Sequence, residues 1–192
     1  MSEGILQILK KSDAFLQGHF LLSSGKHSDG YVQCEKVMRF PEKAAEVVKS
    51  IAEQIKDVDF DLIVGPAMGG IRVAYELGRQ VGKETIFAER VDGEMTLRRG
   101  FSITPGAKIM IAEDVITTGK STMEVKKLLE EWGGKVVGAT CIIDRRSKAD
   151  QDQFGLPLYA AIALDIATYD KEECPLCQKD MELVKPGSRN MK

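Results

Sequence analysis

Two adjacent carboxylates, Glu113 and Asp114, close an apolar run, and Thr117-Thr118-Gly119-Lys120-Ser121 follows almost at once. Residue types in that order suit one kind of ligand. The first backbone N–H groups of a helix lack intrahelical partners and carry the positive end of the helix dipole, so they attract phosphate. The Thr and Ser hydroxyls add donors, and Gly119 lets the backbone approach the ligand closely. The carboxylates repel phosphate and need another partner: sugar hydroxyls, Mg²⁺, or both. A phosphate-bearing sugar satisfies both halves at once. A Walker A loop is excluded, because G-x-x-x-x-G-K-[ST] is absent and the acids precede the loop. The plainer alternative is a strand, a loop and a helix, with solvated acids and Thr118 or Ser121 serving only as a cap.

The elements that must position these residues are legible in the hydrophobic pattern. Ile109–Ala112 reads as a strand buried on both faces, and Val125, Leu128, Leu129 and Trp132 as a helix that Gly133-Gly134 ends. Residues 2–12 look helical, and the stretch from Gly18 to Cys34 reads as two short strands around a polar turn. Pro41 suits the first turn of a helix whose apolar positions run from Ala44 to Ile55. From Asp61 onward strands and helices alternate, with strands at Leu62–Val64, Thr85–Ala88, Lys135–Ile143 and finally Leu158–Leu164. The expected class is α/β, a central parallel sheet flanked by helices on both faces. Ligands then sit at the C-terminal ends of the strands, near a switch in strand order. The loops at 65–70, 117–121 and 144–145 should share that rim. A single domain is expected, with residues 1–35 plus about 155–165 as a small hood and 166–192 as a tail.

Composition narrows the partners. The chain has 192 residues, 43% of them hydrophobic, enough for a sizeable core. Lys+Arg 27 against Asp+Glu 29 gives a net charge of −2, so no nucleic acid is expected and any anion site must be built locally. No membrane partner, signal peptide or spanning stretch is expected. Four cysteines without a disulfide framework point to the reducing cytoplasm.

The run Glu113-Asp114-Val115-Ile116-Thr117-Thr118-Gly119-Lys120-Ser121 resembles the phosphoribosyl-diphosphate (PRPP) signature of the type I phosphoribosyltransferases, and residues 18–146 resemble the orotate-using members of that family. The resemblance implies a transferase of pyrimidine biosynthesis. It would move the 5-phosphoribosyl group from PRPP to orotate with Mg²⁺, as a homodimer with active sites shared across the interface. In that role Thr117–Ser121 grip the 5-phosphate, while Glu113 and Asp114 hold the ribose hydroxyls or the metal. The loop containing Ala67, Met68, Gly69 and Gly70 takes the diphosphate, beside a non-proline cis peptide. Related enzymes often carry a Lys in this loop; Met68-Gly69-Gly70 offers none.

The segment from Glu89 to Phe101 reads as a hairpin turning at Asp92-Gly93, and it resembles the family's mobile lid. The family's lid bears a catalytic Lys and a His, and neither occurs between Glu89 and Gly100, so Arg90, Arg98 and Arg99 must supply its charge. Arginine clamps an anion but does not release a proton, so leaving-group stabilisation would be electrostatic. For the base, the resemblance assigns the orotate carboxylate to Arg145, with Thr117 contacting the ring. Lys26, His27 and Tyr31 are further candidates, His27 standing where the family usually has Lys. Two readings compete: the same reaction on another base, or a PRPP-sensing regulator without turnover.

The tail carries Cys174-Pro-Leu-Cys177, half of a tetrahedral zinc site. Cys34 and Cys141 would complete it only if the fold brings them near. Free thiols are the alternative.

Overall fold

A computed structural model describes residues 2–22 and 24–186, with Ser2 through its backbone alone; the last six tail residues, 187–192, lie outside it. The chain opens with α1 (Ser2–Lys11), the hairpin β1 (Phe15–Leu21) and β2 (His27–Val32), a single turn α2 (Glu35–Met38), and α3 (Pro41–Gln54) with Pro41 at its start. The alternating part follows: β3 (Leu62–Pro66), α4 (Gly69–Val81), β4 (Glu84–Val91), β5 (Glu94–Thr96), β6 (Lys108–Ile116), α5 (Lys120–Glu131) and β7 (Lys135–Asp144). The chain then runs through α6 (Lys148–Gln153), β8 (Leu158–Ala163), β9 (Thr168–Tyr169) and β10 (Leu183–Val184).

The main sheet has the order β5-β4-β3-β6-β7-β8, parallel throughout except for the antiparallel β4–β5 hairpin. Successive side chains on a strand face opposite ways, and β3 and β6 use this to serve two cores. Ile63, Met110 and Ala112 pack with Ile5 and Leu9 of α1, Val48 and Ile51 of α3, and Val73 and Leu77 of α4. Leu62, Val64, Ile109 and Ile111 pack with Val125 and Leu129 of α5. Strands buried on both faces read as continuous apolar runs for this reason. After β3 the chain goes first to β4 on one side, then returns to place β6 on the other. The strand order therefore switches between β3 and β6, and the loops that follow those two strands open into the crevice between them.

The expected hood is corrected in one part. β8 pairs in parallel with β7 (Ala139↔Leu158 to Asp144↔Ala163) and extends the main sheet, so it meets α1 from that sheet and does not join the N-terminal strands. The apolar Leu158–Ile162 run finds a strand edge to cover and a core to join. A separate four-stranded sheet, β10-β1-β2-β9, forms instead, its outer strands contributed by the segment after residue 165. Among the described residues no helix is long and apolar enough to cross a membrane.

Candidate functional site

Alternation along β6 sends its two terminal carboxylates to different helices. Glu113 shares the α5 side with Ile109 and Ile111, and its Oε1 accepts a long hydrogen bond from Thr122 Oγ1 at 3.4 Å. Asp114 faces α4, where a Cβ on Gly69 would come within 2.3 Å of the carboxyl carbon. Gly69 is thus required by close approach, and the approach brings the two loops together. The backbone N–H of Val115 donates to Asp114 Oδ1 at 2.8 Å. Burial pushes the Glu113 carboxyl up to about 8, the charge of Asp114 adds to the shift, and the Thr122 hydroxyl opposes it. Asp114 is also raised by burial, against the Val115 N–H. Desolvated, mutually repelling carboxylates gain from a cation or from hydroxyl donors.

The crevice beside them is a cavity of ≈ 270 Å³ lined by residues 66–69, Met95 and residues 113–122. Two helices start at its wall, and the N–H groups of a helix's first turn lack intrahelical partners. α4 begins at Gly69 behind a cis Ala67–Met68 peptide. α5 begins at Lys120 behind Gly119, whose φ of 77° is left-handed and whose missing Cβ leaves room for the Phe154 ring, 2.6 Å from where it would sit. Thr118 Oγ1 accepts from the Lys120 N–H at 3.3 Å. Among the described residues Lys120 is the one cationic side chain on the wall. A helix N-terminus thus stands at each side of a pair of acids, an arrangement that suits an anion beside a sugar or a cation.

A second cavity, ≈ 390 Å³, opens where β7 ends, walled by residues 144–146, Lys148, Gln151 and residues 163–166. Arg145 is anchored through its backbone, N to Ile116 O at 2.8 Å, while its side-chain Nε is buried with no hydrogen-bond partner among the described residues. Burial lowers the pKa of its guanidinium, and the charge of Asp29 works the other way. Asp144 pairs with Arg146, not with Arg145: Arg146 makes two 2.9 Å hydrogen bonds to that carboxylate and stacks over Phe154 at 4.6 Å. The sequence Asp144-Arg145-Arg146 therefore divides into a fastened Arg146 and an Arg145 available for an anionic ligand.

Other expected contacts fall elsewhere. His27 is buried and turns its Nδ1 toward His19 and Cys177, so it is not offered to the base. Lys26 is exposed and pairs with Asp170 at 3.3 Å, and Tyr31 packs on Phe20 with ring centroids 5.8 Å apart. Arg90 is tied to Glu124 of α5 and to the Gly93 carbonyl, outside the first cavity. Arg99 pairs with Glu89 at 3.3 Å, and Arg98 is exposed. Met95 is what the β4–β5 hairpin contributes to the cavity wall. Cys34 donates its thiol to the Asp114 carbonyl at 3.6 Å and Cys141 is buried in β7, so neither joins Cys174 and Cys177. The neighbours of that pair are His19 and His27. Both histidines of the chain are there, a signal the sequence carried in their scarcity alone.

The family model described as "Phosphoribosyl transferase domain" matches residues 35–157. A curated protein from Caldanaerobacter subterraneus subsp. tengcongensis, named orotate phosphoribosyltransferase, is 47% identical over 190 residues, 98% of each chain. The orotate phosphoribosyltransferase structure from Aeropyrum pernix aligns with a TM-score of 0.69 at 23% identity, over 83% of this chain and 93% of that one. The Leishmania donovani UMP synthase structure gives a TM-score of 0.73 at 22% identity over 93% of this chain, which spans 38% of that longer protein. At these identities the two structures speak to the fold.

Proposed function

This chain belongs to the phosphoribosyltransferase family, and from that membership we infer an orotate phosphoribosyltransferase, forming orotidine 5′-phosphate and diphosphate from PRPP and orotate. The observation that carries the reading is the first cavity, where two helix N-termini flank a Glu113-Asp114 ledge. PRPP presents a monophosphate at one end, a diphosphate at the other and two ribose hydroxyls between them. We assign the monophosphate to the amides and hydroxyls of residues 117–121, and the diphosphate to the turn at 67–70. The ribose hydroxyls go to Glu113 and Asp114, with Val115 and Ile116 carrying the strand into the loop.

Substitution at the sugar carbon builds positive charge on the ring and negative charge on the departing diphosphate. Fixed amide dipoles at the α4 start stabilise that negative charge without reorganising, and the facing carboxylates stabilise the ring. The carboxylates also suit Mg²⁺, since hard oxygen donors with desolvated charge are what that ion takes. Mg²⁺ supplies charge neutralisation of the diphosphate when bound. Arg145, half-buried with an unpartnered Nε, suits the carboxylate of orotate. Asp29 nearby limits its attraction for stray anions.

We further propose a homodimer in which the β4–β5 hairpin acts at the partner's site. Within the chain itself Arg98 stays exposed and the hairpin gives the cavity Met95 but no cation. Exposed Met68 (79%) lines the first cavity and exposed Tyr75 (68%) lies further along α4, and a second copy would cover both. Four free cysteines accord with a reducing cytoplasm.

The test is a panel of bases incubated with PRPP and Mg²⁺, with diphosphate release followed. Release with orotate and not with uracil or purines is expected. Release with a purine alone would replace the substrate, and no release with any base would leave a PRPP-binding regulator. Arg145→Ala should raise KM for orotate by about tenfold or more, the worth of a charge-assisted bidentate pair. KM for PRPP should change little. Equal changes in both constants would remove the assignment.

A further inference from the structure

We propose that His19, His27, Cys174 and Cys177 form a closed tetrahedral zinc site that staples the C-terminal segment to the N-terminal hood. Their four ligand atoms all lie within 4.8 Å of one another. His19 Nε2 is 3.5 Å from Cys174 Sγ and 3.7 Å from Cys177 Sγ, and His27 Nδ1 is 3.3 Å from Cys177 Sγ. Zn–S bonds of about 2.3 Å and Zn–N bonds of about 2.0–2.1 Å at tetrahedral angles put nitrogen and sulfur ligands about 3.6 Å apart. The two nitrogens, 2.8 Å apart, need to open by about 0.5 Å to meet the same geometry.

The surrounding groups prepare the same chemistry. His19 Nδ1–H donates to the Met181 carbonyl at 2.9 Å, and this tautomer leaves Nε2 as a bare lone pair facing the sulfurs. A single N–H···N bond between the imidazoles would account for one of these contacts and leave the two sulfurs unexplained. The Cys-x-x-Cys turn is folded by its own backbone, with Gln178 N on Cys174 O at 3.3 Å and Asp180 N on Cys177 O at 3.1 Å. Two sulfurs and two imidazoles with no place for a fifth group are a structural zinc set, not a catalytic one.

The fold needs a fastener at this point. From residue 170 to 186 Cys174 is the one buried residue, and Met181, Leu183 and Val184 stay about 40% exposed. Two-residue strands and a few exposed apolar side chains do not order a segment by burial. His19 pairs with Leu183 and His27 with Tyr169, so one ion would clamp β9 and β10 onto the hairpin from both edges.

The full-length, untagged chain, purified from zinc-supplemented medium and passed through gel filtration, should carry about one zinc per chain by plasma emission spectrometry. The Cys174→Ser/Cys177→Ser double variant should carry less than about a fifth of that. Stripping the unmodified protein with a chelator should lower its melting temperature by about 5 °C or more, and zinc alone should restore it. Should the double variant not fold, Co²⁺ added to the stripped protein decides, through the visible bands of tetrahedral cobalt with thiolate charge transfer. Metal-free protein with no cobalt spectrum, zinc retained by the double variant, another metal in its place, or a Cys174–Cys177 disulfide in fresh protein would each overturn the site.

Discussion

Glu113 holds a proton in the folded chain that it would lose in the unfolded one. Its carboxyl is held up to about 8 by burial and by Asp114, against about 4.3 for the group in an unfolded chain. Between those values the folded protein binds a proton that the unfolded chain has lost, so folding becomes progressively less favourable through this group as pH rises from about 4.3 to 8. Above 8 the penalty is complete. Mg²⁺ or a ribose hydroxyl that prefers the carboxylate must expel this proton. Calorimetry of Mg·PRPP binding at pH 7 in buffers of different ionisation enthalpy should therefore report release of up to about one proton. Glu113→Gln should abolish that release and make the ligand-free protein less sensitive to alkali. No buffer dependence would mean that Glu113 stays out of the site. The pair of acids was legible in the sequence because charged residues seldom end a buried strand without a reason. Its perturbed protonation was not, since it depends on which wall each side chain faces. Arg145 was legible by its place after a strand, whereas its separation from Asp144 by the stronger Arg146 contact needed coordinates.

Glycine sets the spacing at the element scale. The α4 entry approaches β6 so closely that a Cβ on Gly69 would strike the Asp114 carboxylate at 2.3 Å, and one on Gly70 would meet the Ala112 carbonyl at 2.5 Å. Gly69→Ala must displace the loop or the acid. Turnover should fall by about a hundredfold or more, as expected for a displaced catalytic group, while the far-ultraviolet circular dichroism is kept. Near-normal turnover would show that the spacing of this turn from the acid is not needed for the reaction. The parallel strands and their loops were readable because apolar runs and small-residue turns alternate from Asp61 onward. The hood was read less well. A short apolar strand such as Leu158–Ala163 looks the same whether it ends the main sheet or covers it, and β9 and β10, two residues each, carry no periodicity. What holds those last pieces is side-chain chemistry from residues 150 or more positions away, beyond any local pattern.

At the scale of the whole molecule, β3, β6 and β7 run parallel, so the segments that follow them, Arg145 included, lie at one end of the main sheet. If the hairpin of one copy completes the site of the other, two crippled variants should rescue each other. Mixing Asp114→Asn with Arg98→Ala/Arg99→Ala after mild dissociation should restore about a quarter of wild-type turnover, because half of a random mixture is heterodimer and one of its two sites is intact. A mixture no better than its components would confine each site to a single chain. The measurement that reaches the centre of the account is diffraction from crystals soaked with PRPP and Mg²⁺ and no base. The 5-phosphate should lie on the amides of residues 117–121, the diphosphate at residues 67–70 and the ribose hydroxyls on Glu113 and Asp114. An ordered PRPP bound anywhere else, with the bend at 117–121 unengaged, would contradict it.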